Sequence, residues 1–475
     1  MNIQELAHSI KGKVVGTDKF YSDFTGRFLF LNNASEGDIV IRHWINDKGV
    51  EIASSKNIAC LITQNPKDGA LEKAEEINFP LIIVDKIELA NAYALKHTIS
   101  NYSSNSKNIV ITGTNGKSTT SHLIYHILKT AGFKVFTNTD SESEFNTLID
   151  PMVANLRASE VIENGPLDYL VIEVSEVQGW LGSLMENHAF LMADALDANV
   201  GVITNIAMDH IGLVNSIDDV FNEIKTVPKA IKDTVILNHD DDLVMQIKTD
   251  NNKFYTSMNK LEDSKNNVYY DNDRIVYNGE IILNKEELPF NSYHFIQNIL
   301  SAIGACISLG LNLEDIKTGV KSYKSLNRRF SKINNDPLII DDFAHNPEGI
   351  KATIEESLKL VPKDKKLFVA CSIRGSRGVD INKLNVEALV ESYKDNIELF
   401  ISSSSDVVDN LNVVLEEEKE IFFDILDDNN ISYQHFNTLE DTLNSVFENI
   451  SEGDIILLIG AQGMDPAESL LNNIL

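Results

Sequence analysis

A lysine and a serine placed directly behind two glycines can hold a phosphate chain. The segment ITGTNGKSTT (111–120) carries that arrangement between an apolar, strand-like run and an amphipathic helical pattern. Gly113 and Gly116 allow the backbone to wrap closely around phosphate oxygens, with Thr114 and Asn115 between them. The amides that open the next helix, at Lys117, Ser118 and Thr119, add unpaired N–H groups and a favourable dipole. Lys117 can reach terminal phosphates, and the Ser118 hydroxyl can join a Mg²⁺ shell. The longer pattern G-x-x-x-x-G-K-[ST] is not met, because Ile111 stands where its first glycine would be. Further candidates lie at strand ends. Glu173 ends the run DYLVIEV (168–174), and Asn205, Asp209 and His210 follow VGVITN (200–205). Doubly wound sheets set ligands at the carboxyl ends of their strands. Singly, Glu173 serves equally well as a helix cap and His210 as a loop histidine. Beside Lys117 they point to a nucleoside triphosphate and its metal.

The elements that must position these groups fit a chain of 475 residues, about three domains at roughly 100–200 residues each. The 71 acidic residues against 41 basic ones give a formal charge of −30. Such a surface repels nucleic-acid backbones and anionic lipid, so neither nucleic-acid nor membrane partners are expected. Small anionic ligands remain compatible, since backbone amides and a few local cations can hold them. Cys60, Cys306 and Cys371 are too scattered in sequence for a metal cluster or a disulfide framework and read as reduced thiols. The opening MNIQELAHSIKGKVV lacks the apolar core of a signal peptide, and no apolar run nears the eighteen or so residues of a membrane span. A cytoplasmic location is expected.

Along the chain, residues 1–105 alternate short apolar runs with turns, as in RFLFLNN (27–33), GDIVIRHW (37–44), ACLIT (59–63) and PLIIVD (80–85), which predicts a small N-terminal α/β domain. The polar stretch 101–107 reads as a linker. Residues 106–325 alternate apolar strands with helices expected at 117–131, 147–160, 217–232 and 293–309, the pattern of a parallel sheet covered on both faces. The run 267–284 reads instead as antiparallel strands. Residues 326–475 repeat the alternation, with helices near 347–361, 383–395 and 438–449, so the third domain is Rossmann-like. The fold class is therefore α/β in three domains, the central one a P-loop-type ATPase domain. The acidic run 416–420 reads as a solvated helix face.

These motifs, in this order, resemble the Mur ligases, ATP-dependent amide-bond ligases that add amino acids to cell-wall precursors. TGTNGKST resembles the family's nucleotide loop, EVSE (173–176) its E-x-S-S magnesium segment, and TNIAMDHIG (204–212) its TN-x-x-x-DH-L. YHFIQN (293–298) resembles HN-x-x-N, SLNRRF (325–330) its P-G-R segment with Arg328 in place of Gly, and DDFAHNPEG (341–349) D-Y-A-H-N-P-x-G. The resemblance implies that a substrate carboxylate takes the γ-phosphate of ATP and that an amine then displaces phosphate. It implies Lys117, Glu173, His210 and Lys225 as catalytic, and two Mg²⁺ ions. One ion would sit near Ser118 and Glu173, the other near His210 and a carbamylated Lys225, a residue that otherwise reads as a surface helix lysine. Asn298 would meet the adenine, and Arg329 and Asp342 would close on the nucleotide. Asn205 falls near magnesium or substrate, or in a structural turn. The partners implied are a nucleotide-linked peptide precursor and an amino acid, bound by a monomer.

The resemblance thins at three places. The D-S-R segment near the uridine has only SDFTGRFLFLN (22–32) to match it, with Thr25 and Arg27 as stand-ins. The diaminopimelate-recognising D-N-P-R is replaced by ISSSSDVVDN (401–410). The last strand ends IGAQGMDPAE (459–468), where Met464 and Asp465 either shape an amino-acid pocket or form a plain turn. That ending and EVSEVQGW (173–180) resemble the Mur-like ligases of methanogenic archaea that build pseudomurein peptide. Arg374 and Arg377, in the Gly-rich loop SIRGSRGVD (372–380), can hold a substrate carboxylate. His345 lies at a strand-to-helix turn as a further substrate candidate or a cap.

Overall fold

The computed structural model describes residues 1–139, 166–180, 183–208, 213–261, 266–290, 292–410 and 412–474. The first sheet holds β1 (Lys13–Val15), β2 (Phe28–Leu29), β3 (Ile39–Ile45), β4 (Cys60–Pro66) and β5 (Leu81–Ile83) in the order β1-β5-β4-β3-β2. Its strands run parallel except β1, which is antiparallel to β5. The run RFLFLNN yields only the two-residue β2.

The central sheet is built around β6 (Lys107–Thr112), β7 (Val135–Thr137), β8 (Tyr169–Glu173), β11 (Val200–Ile203) and β12 (Thr234–Asn238), with a small β9–β10 hairpin (Gly179–Trp180, Ser183–Leu184) outside it. It continues through β13 (Asn252–Ser257) and β14 (Asn267–Asp271) to β15 (Arg274–Tyr277) and β16 (Glu280–Asn284). The order is β16-β15-β14-β13-β12-β11-β6-β8-β7, parallel from β14 to β7, with β15 and β16 antiparallel as the turns predict. Side chains on the central strands point alternately to two cores, as the period-two geometry of a strand requires. Ile109 and Ile111 of β6 pack with Leu123, Ile124 and Ile127 of the helix Lys117–Thr130 and with Ile299 and Ile303 of the helix Tyr293–Ser308. Val110, between them, faces the other layer with Ile172, Met192 and Ile224.

The connection expected over 101–107 is shorter: the helix Ile87–Tyr102 runs into it and β6 begins at Lys107, leaving a turn at 103–106. That helix buries Ala90 and Ala94 in the first domain's core and Leu95 and Ile99 in the central one, so Met1–Tyr323 forms one compact unit. The expected helix 217–232 stops at Ile224, and Val227–Ala230 is a short 3₁₀ turn. Pro228, without an N–H and with its ring against the preceding turn, prevents the α-helix from continuing. The expected helix 147–160 lies outside the described residues.

The second unit, Lys324–Leu475, holds β17 (Ser331–Asn335), β18 (Leu338–Asp342), β19 (Leu367–Ser372), β20 (Ile397–Ser402), β21 (Tyr433–Phe436) and β22 (Ile455–Ile459). The order is β17-β18-β22-β19-β20-β21, parallel apart from β17. Its helices include Pro347–Leu360, Val379–Ser392, which begins four residues before the expected 383, Glu416–Asp428 and Leu439–Asn449. The acidic run is not wholly solvated. Glu418 is fully buried and accepts N–H bonds from Ser376, Arg377, Gly378 and Leu415 at 2.6–3.0 Å. No described helix is long and apolar enough to cross a membrane.

His188, at the start of the helix His188–Ala195, is completely buried, and among the described residues neither ring nitrogen has a hydrogen-bond partner. Burial lowers its pKa to about 4. The folded state therefore resists protonation that the unfolded chain accepts below about 6.5, so this contribution to stability is present above 6.5 and is lost as the pH falls towards 4. His188→Leu should leave the denaturation midpoint at pH 7.5 unchanged or higher and flatten its decline between pH 6.5 and 4, read by chemical denaturation across that range. An unaltered slope would assign the acid sensitivity elsewhere.

Candidate active site

The phosphate loop leaves β6 at Thr112 and enters the helix Lys117–Thr130 through Gly116. Gly116 has φ +81°, and a Cβ there would overlap the Asn298 side chain from the helix Tyr293–Ser308. At Gly113, with φ +118°, a Cβ would meet Thr204 Oγ1. Glycine is thus required at both places by conformation and by space.

Neighbouring strand ends hold the loop. Asn205, just past β11, accepts from the Asn115 N–H at 2.9 Å and donates to the Asn115 carbonyl at 2.8 Å. The Thr114 N–H donates to the Asn205 carbonyl at 3.0 Å, and the Ala207 N–H donates to Thr114 Oγ1 at 3.0 Å. Asn205 therefore holds the loop, the structural one of its two expected roles. Thr119 is buried, and Thr120 Oγ1 reaches Asn298 Oδ1 at 3.4 Å.

Lys117 Nζ donates to the Thr114 carbonyl at 2.9 Å and to Glu176 Oε2 at 2.8 Å. Ser118 Oγ donates to Glu173 Oε1 at 3.2 Å. Asn138, following β7, fixes Glu173 through its backbone, accepting from its N–H at 2.9 Å and donating to its carbonyl at 3.0 Å. Ser118 thus meets Glu173, and Lys117 meets Glu176, a carboxylate that sequence reading left out of the site. The signal was present: Glu176 ends EVSE, where the family pattern carries serine.

The set fits a nucleotide with its metal. Both glycines keep the space against Thr204 and Asn298 that a side chain would fill, the helix N-terminus has no side-chain cap, and Ser118 with Glu173 offers the hard oxygen donors Mg²⁺ prefers. Among the described residues there is no group of three or more His, Cys, Asp or Glu able to hold a metal. His210 and Asp209 lie outside the described residues. Lys225 is exposed at the end of the helix Ile217–Ile224; its ammonium meets Asn222 and stands 5.6 Å from the centre of the Phe221 ring. Thr25 and Arg27, the stand-ins for a uridine segment, are bound instead to the buried Asp38, Arg27 through two bonds of 2.8 and 2.9 Å.

In the second unit, Arg328 has φ +56°, the backbone form a glycine adopts without strain. Its guanidinium bonds Asp341, Asp465 and the carbonyls of Gly460 and Ala461, and lies 4.9 Å from the Phe343 ring centre. Asp465 is thereby bound to Arg328, and Met464 is fully buried in the core. Burial pushes the Asp341 carboxyl up to about 6 against the opposing pull of Arg328. Arg329 stands 5.1 Å from the same Phe343 ring. Desolvation raises the Asp342 carboxyl, and Arg329 opposes it. His345 Nδ1 donates to the Phe343 carbonyl at 2.8 Å, while Asn346 caps the helix Pro347–Leu360. Arg374 reaches the His345 carbonyl at 3.4 Å. Arg377 is exposed and donates to Asn412 Oδ1 at 3.1 Å. Both arginines lie on the loop that Glu418 holds by its backbone.

The chain is similar to known proteins over most of its length. The family description "Mur ligase middle domain" matches residues 111–306, and "Mur ligase, glutamate ligase domain" matches residues 328–462. A UDP-N-acetylmuramate–L-alanine ligase of Pelagibacter ubique is 24% identical over 379 residues, covering 73% of this chain and 76% of its own. Among solved structures, MurF from Acinetobacter baumannii superposes with a TM-score of 0.70 at 17% identity, covering 100% of this chain and 98% of its own. A pseudomurein peptide ligase type C from Methanothermus fervidus gives a TM-score of 0.60 at 19% identity, covering 92% and 94%.

Two substitutions test the geometry. Gly116→Ala should weaken binding of a non-hydrolysable ATP analogue at least ~10-fold by calorimetry, because the loop must shift to clear Asn298. Glu418→Ala should destabilise the second unit by about 2–4 kcal/mol in denaturant titrations, since four backbone N–H groups lose their acceptor.

Proposed function

The chain belongs to the Mur ligase family of ATP-dependent ligases, and from that premise we propose that it joins an amino acid to a carboxylate of a nucleotide-linked cell-wall peptide precursor. The observation that carries the reading is the convergence of Lys117, Ser118 and Glu173 where the helix Lys117–Thr130 begins, at the carboxyl edge of the central sheet.

In this reading a substrate carboxylate oxygen bonds to the γ-phosphorus of ATP and ADP departs. The amine nitrogen then attacks the acyl phosphate carbonyl, phosphate leaves, and the amine gives up a proton. The first step brings two anions together, so the chain's contribution is placement and charge neutralisation. Lys117 supplies a fixed cation, and the amides where the helix begins, from Gly116 to Thr119, cradle phosphate oxygens. Ser118 and Glu173 would hold Mg²⁺, which neutralises phosphate charge when bound. His210 and a carbamylated Lys225 are proposed for a second ion. Asn298, Arg329 and Asp342 are assigned to the nucleotide, and Arg374, Arg377 and His345 to the incoming amino acid's carboxylate side. The active species is proposed to be a monomer.

The deciding experiment is phosphate release from MgATP across a panel of amino acids, with UDP-linked peptides as acceptors and product masses read in parallel. Release that needs one acceptor and one amino acid, with a product heavier by that residue, is expected. Release only with a polyglutamate or cofactor-tail acceptor would move the enzyme to another branch of the family. No release with any acceptor, for wild type and Lys117→Ala alike, would leave a noncatalytic nucleotide-binding subunit. Within the same assay, Lys225→Ala should lose activity that bicarbonate does not restore, whereas decarbamylated wild type should recover with it. Equal activity of mutant and wild type would remove Lys225 from the site.

A further inference from the structure

The helices Ile87–Tyr102 and His188–Ala195 pack side by side, with Leu95 and Ile99 of the first sharing a core with Ala189 and Met192 of the second. At their first turns, Leu89 from one and Phe190 and Leu191 from the other line a cavity of about 590 Å³. That lies within the roughly 300–1,000 Å³ of small-molecule sites. Ile10, which ends the helix Ile3–Ser9, adds an apolar wall from the N-terminal domain. The cavity thus sits where the N-terminal and central domains meet inside the unit Met1–Tyr323, a common place for a ligand. None of its lining residues belongs to the phosphate loop or to the strand ends around that loop.

The charged groups on the walls give the ligand its sign. Lys86 and Glu186 meet at 3.3 Å and offset each other. What remains is Asp85 against two lysines, Lys11 from the N-terminal domain and Lys229 from the 3₁₀ turn Val227–Ala230 of the central one. Among the described residues neither of these ammonium groups is engaged in a hydrogen bond or an ion pair. A wall with a positive balance runs against the composition of a chain whose formal charge is −30. Lys11 also has φ +55°, and its N–H closes the preceding helix on the His8 carbonyl at 3.2 Å. Glycine takes that helix-ending conformation without strain, and here a lysine takes it.

We propose that this cavity binds a small organic anion with an apolar body, an aryl or medium-chain carboxylate. Its hydrocarbon part lies against Leu89, Phe190 and Leu191, and its single charge lies between Lys11 and Lys229. Apolar walls strengthen the attraction by lowering the local dielectric. A polyanion such as a free nucleotide fits poorly, because one surplus positive charge cannot balance it and Asp85 and Glu186 repel it. The ligand touches residues of both domains, so its binding stabilises the unit that they form. This site goes beyond the ligase reading and does not depend on it.

The probe is 8-anilinonaphthalene-1-sulfonate, an aromatic anion of one charge whose fluorescence rises in apolar surroundings. It is titrated into the full chain with saturating AMPPNP and Mg²⁺ present, which keeps the dye off the phosphate loop. Saturable binding at one site is expected, with displacement by octanoate and a higher thermal midpoint in octanoate. Lys11→Glu and Lys229→Glu, both at exposed positions, should each weaken dye binding about three- to tenfold. Phe190→Asp should abolish it, and Lys363→Glu, on the surface of the second unit, should leave it unchanged. Should Phe190→Asp fail to fold, the two lysine variants decide, with thermal midpoints equal to that of wild type as their control. No saturable binding by wild type, no displacement by octanoate, or equal affinities in Lys11→Glu, Lys229→Glu and Lys363→Glu would overturn the proposal. Dye affinity that falls as the chain dimerises in sedimentation would give the cavity to a second copy and overturn it equally. A chain that binds the dye as expected but shows no ligase activity leaves the site standing and removes only the ligase reading.

Discussion

One carboxamide, that of Asn205, occupies both backbone groups of Asn115, and the placement of the phosphate loop depends on that reciprocal pair. A loop that must present its own N–H groups to a ligand cannot use them all to hold itself in shape. It has to be held by groups from outside, and strand ends of a parallel sheet are the rigid places from which to do so. Asn205 and Ala207 grip the loop from beyond β11, and Asn238 of β12 in turn holds the Thr204 carbonyl at 2.9 Å. On the other side Asn138 fixes the backbone of Glu173. Uncharged amides do the holding, which leaves the charged groups Lys117, Glu173 and Glu176 to set the electrostatics of the site.

The second unit solves a similar problem with charge. Its strand-end loops are held by Arg328, which ties Asp341 to the turn after β22, and by Glu418, which gathers the N–H groups of the arginine-bearing loop. Charged groups used in this way must be fully satisfied, because in a desolvated setting each missing partner is expensive. Arg328 meets that condition with two carboxylates, two carbonyls and an aromatic ring, and it does so from a backbone conformation that most side chains avoid. Arg374 and Arg377 are therefore presented by a loop whose shape is fixed from below by a buried anion.

Much of the fold and the heart of the site were legible in the amino-acid sequence, because they rest on local rules. Apolar runs of strand length separated by amphipathic helices define parallel sheets, and a glycine loop followed by Lys117 and Ser118 defines a phosphate cradle wherever it joins a strand to a helix. The pairing of Ser118 with Glu173 follows from the same logic, since Glu173 ends the strand beside the one whose loop leads to Ser118. The helix that stops before Pro228 and the helix that extends to Tyr102, into the stretch expected as a linker, were read less well. There, long-range packing and a single missing N–H outweighed composition.

What only the tertiary structure decided is which polar groups meet. Composition gave Glu418 to a solvated face, yet the turn of its helix brings it under the loop 376–378 and buries it. Thr25 and Arg27 both turn to Asp38, and Asp465 turns to Arg328, pairings that no sequence spacing announces. Glu176 is three residues from Glu173 in sequence, and nothing in that spacing tells which of the two faces serine and which faces lysine. The sequence by itself determined the elements and the chemistry available at their ends, because these follow from periodicity and residue type. The partners of each charge were decided by the fold, because a buried charge is stable only where distant segments bring it a counter-charge or a set of N–H donors.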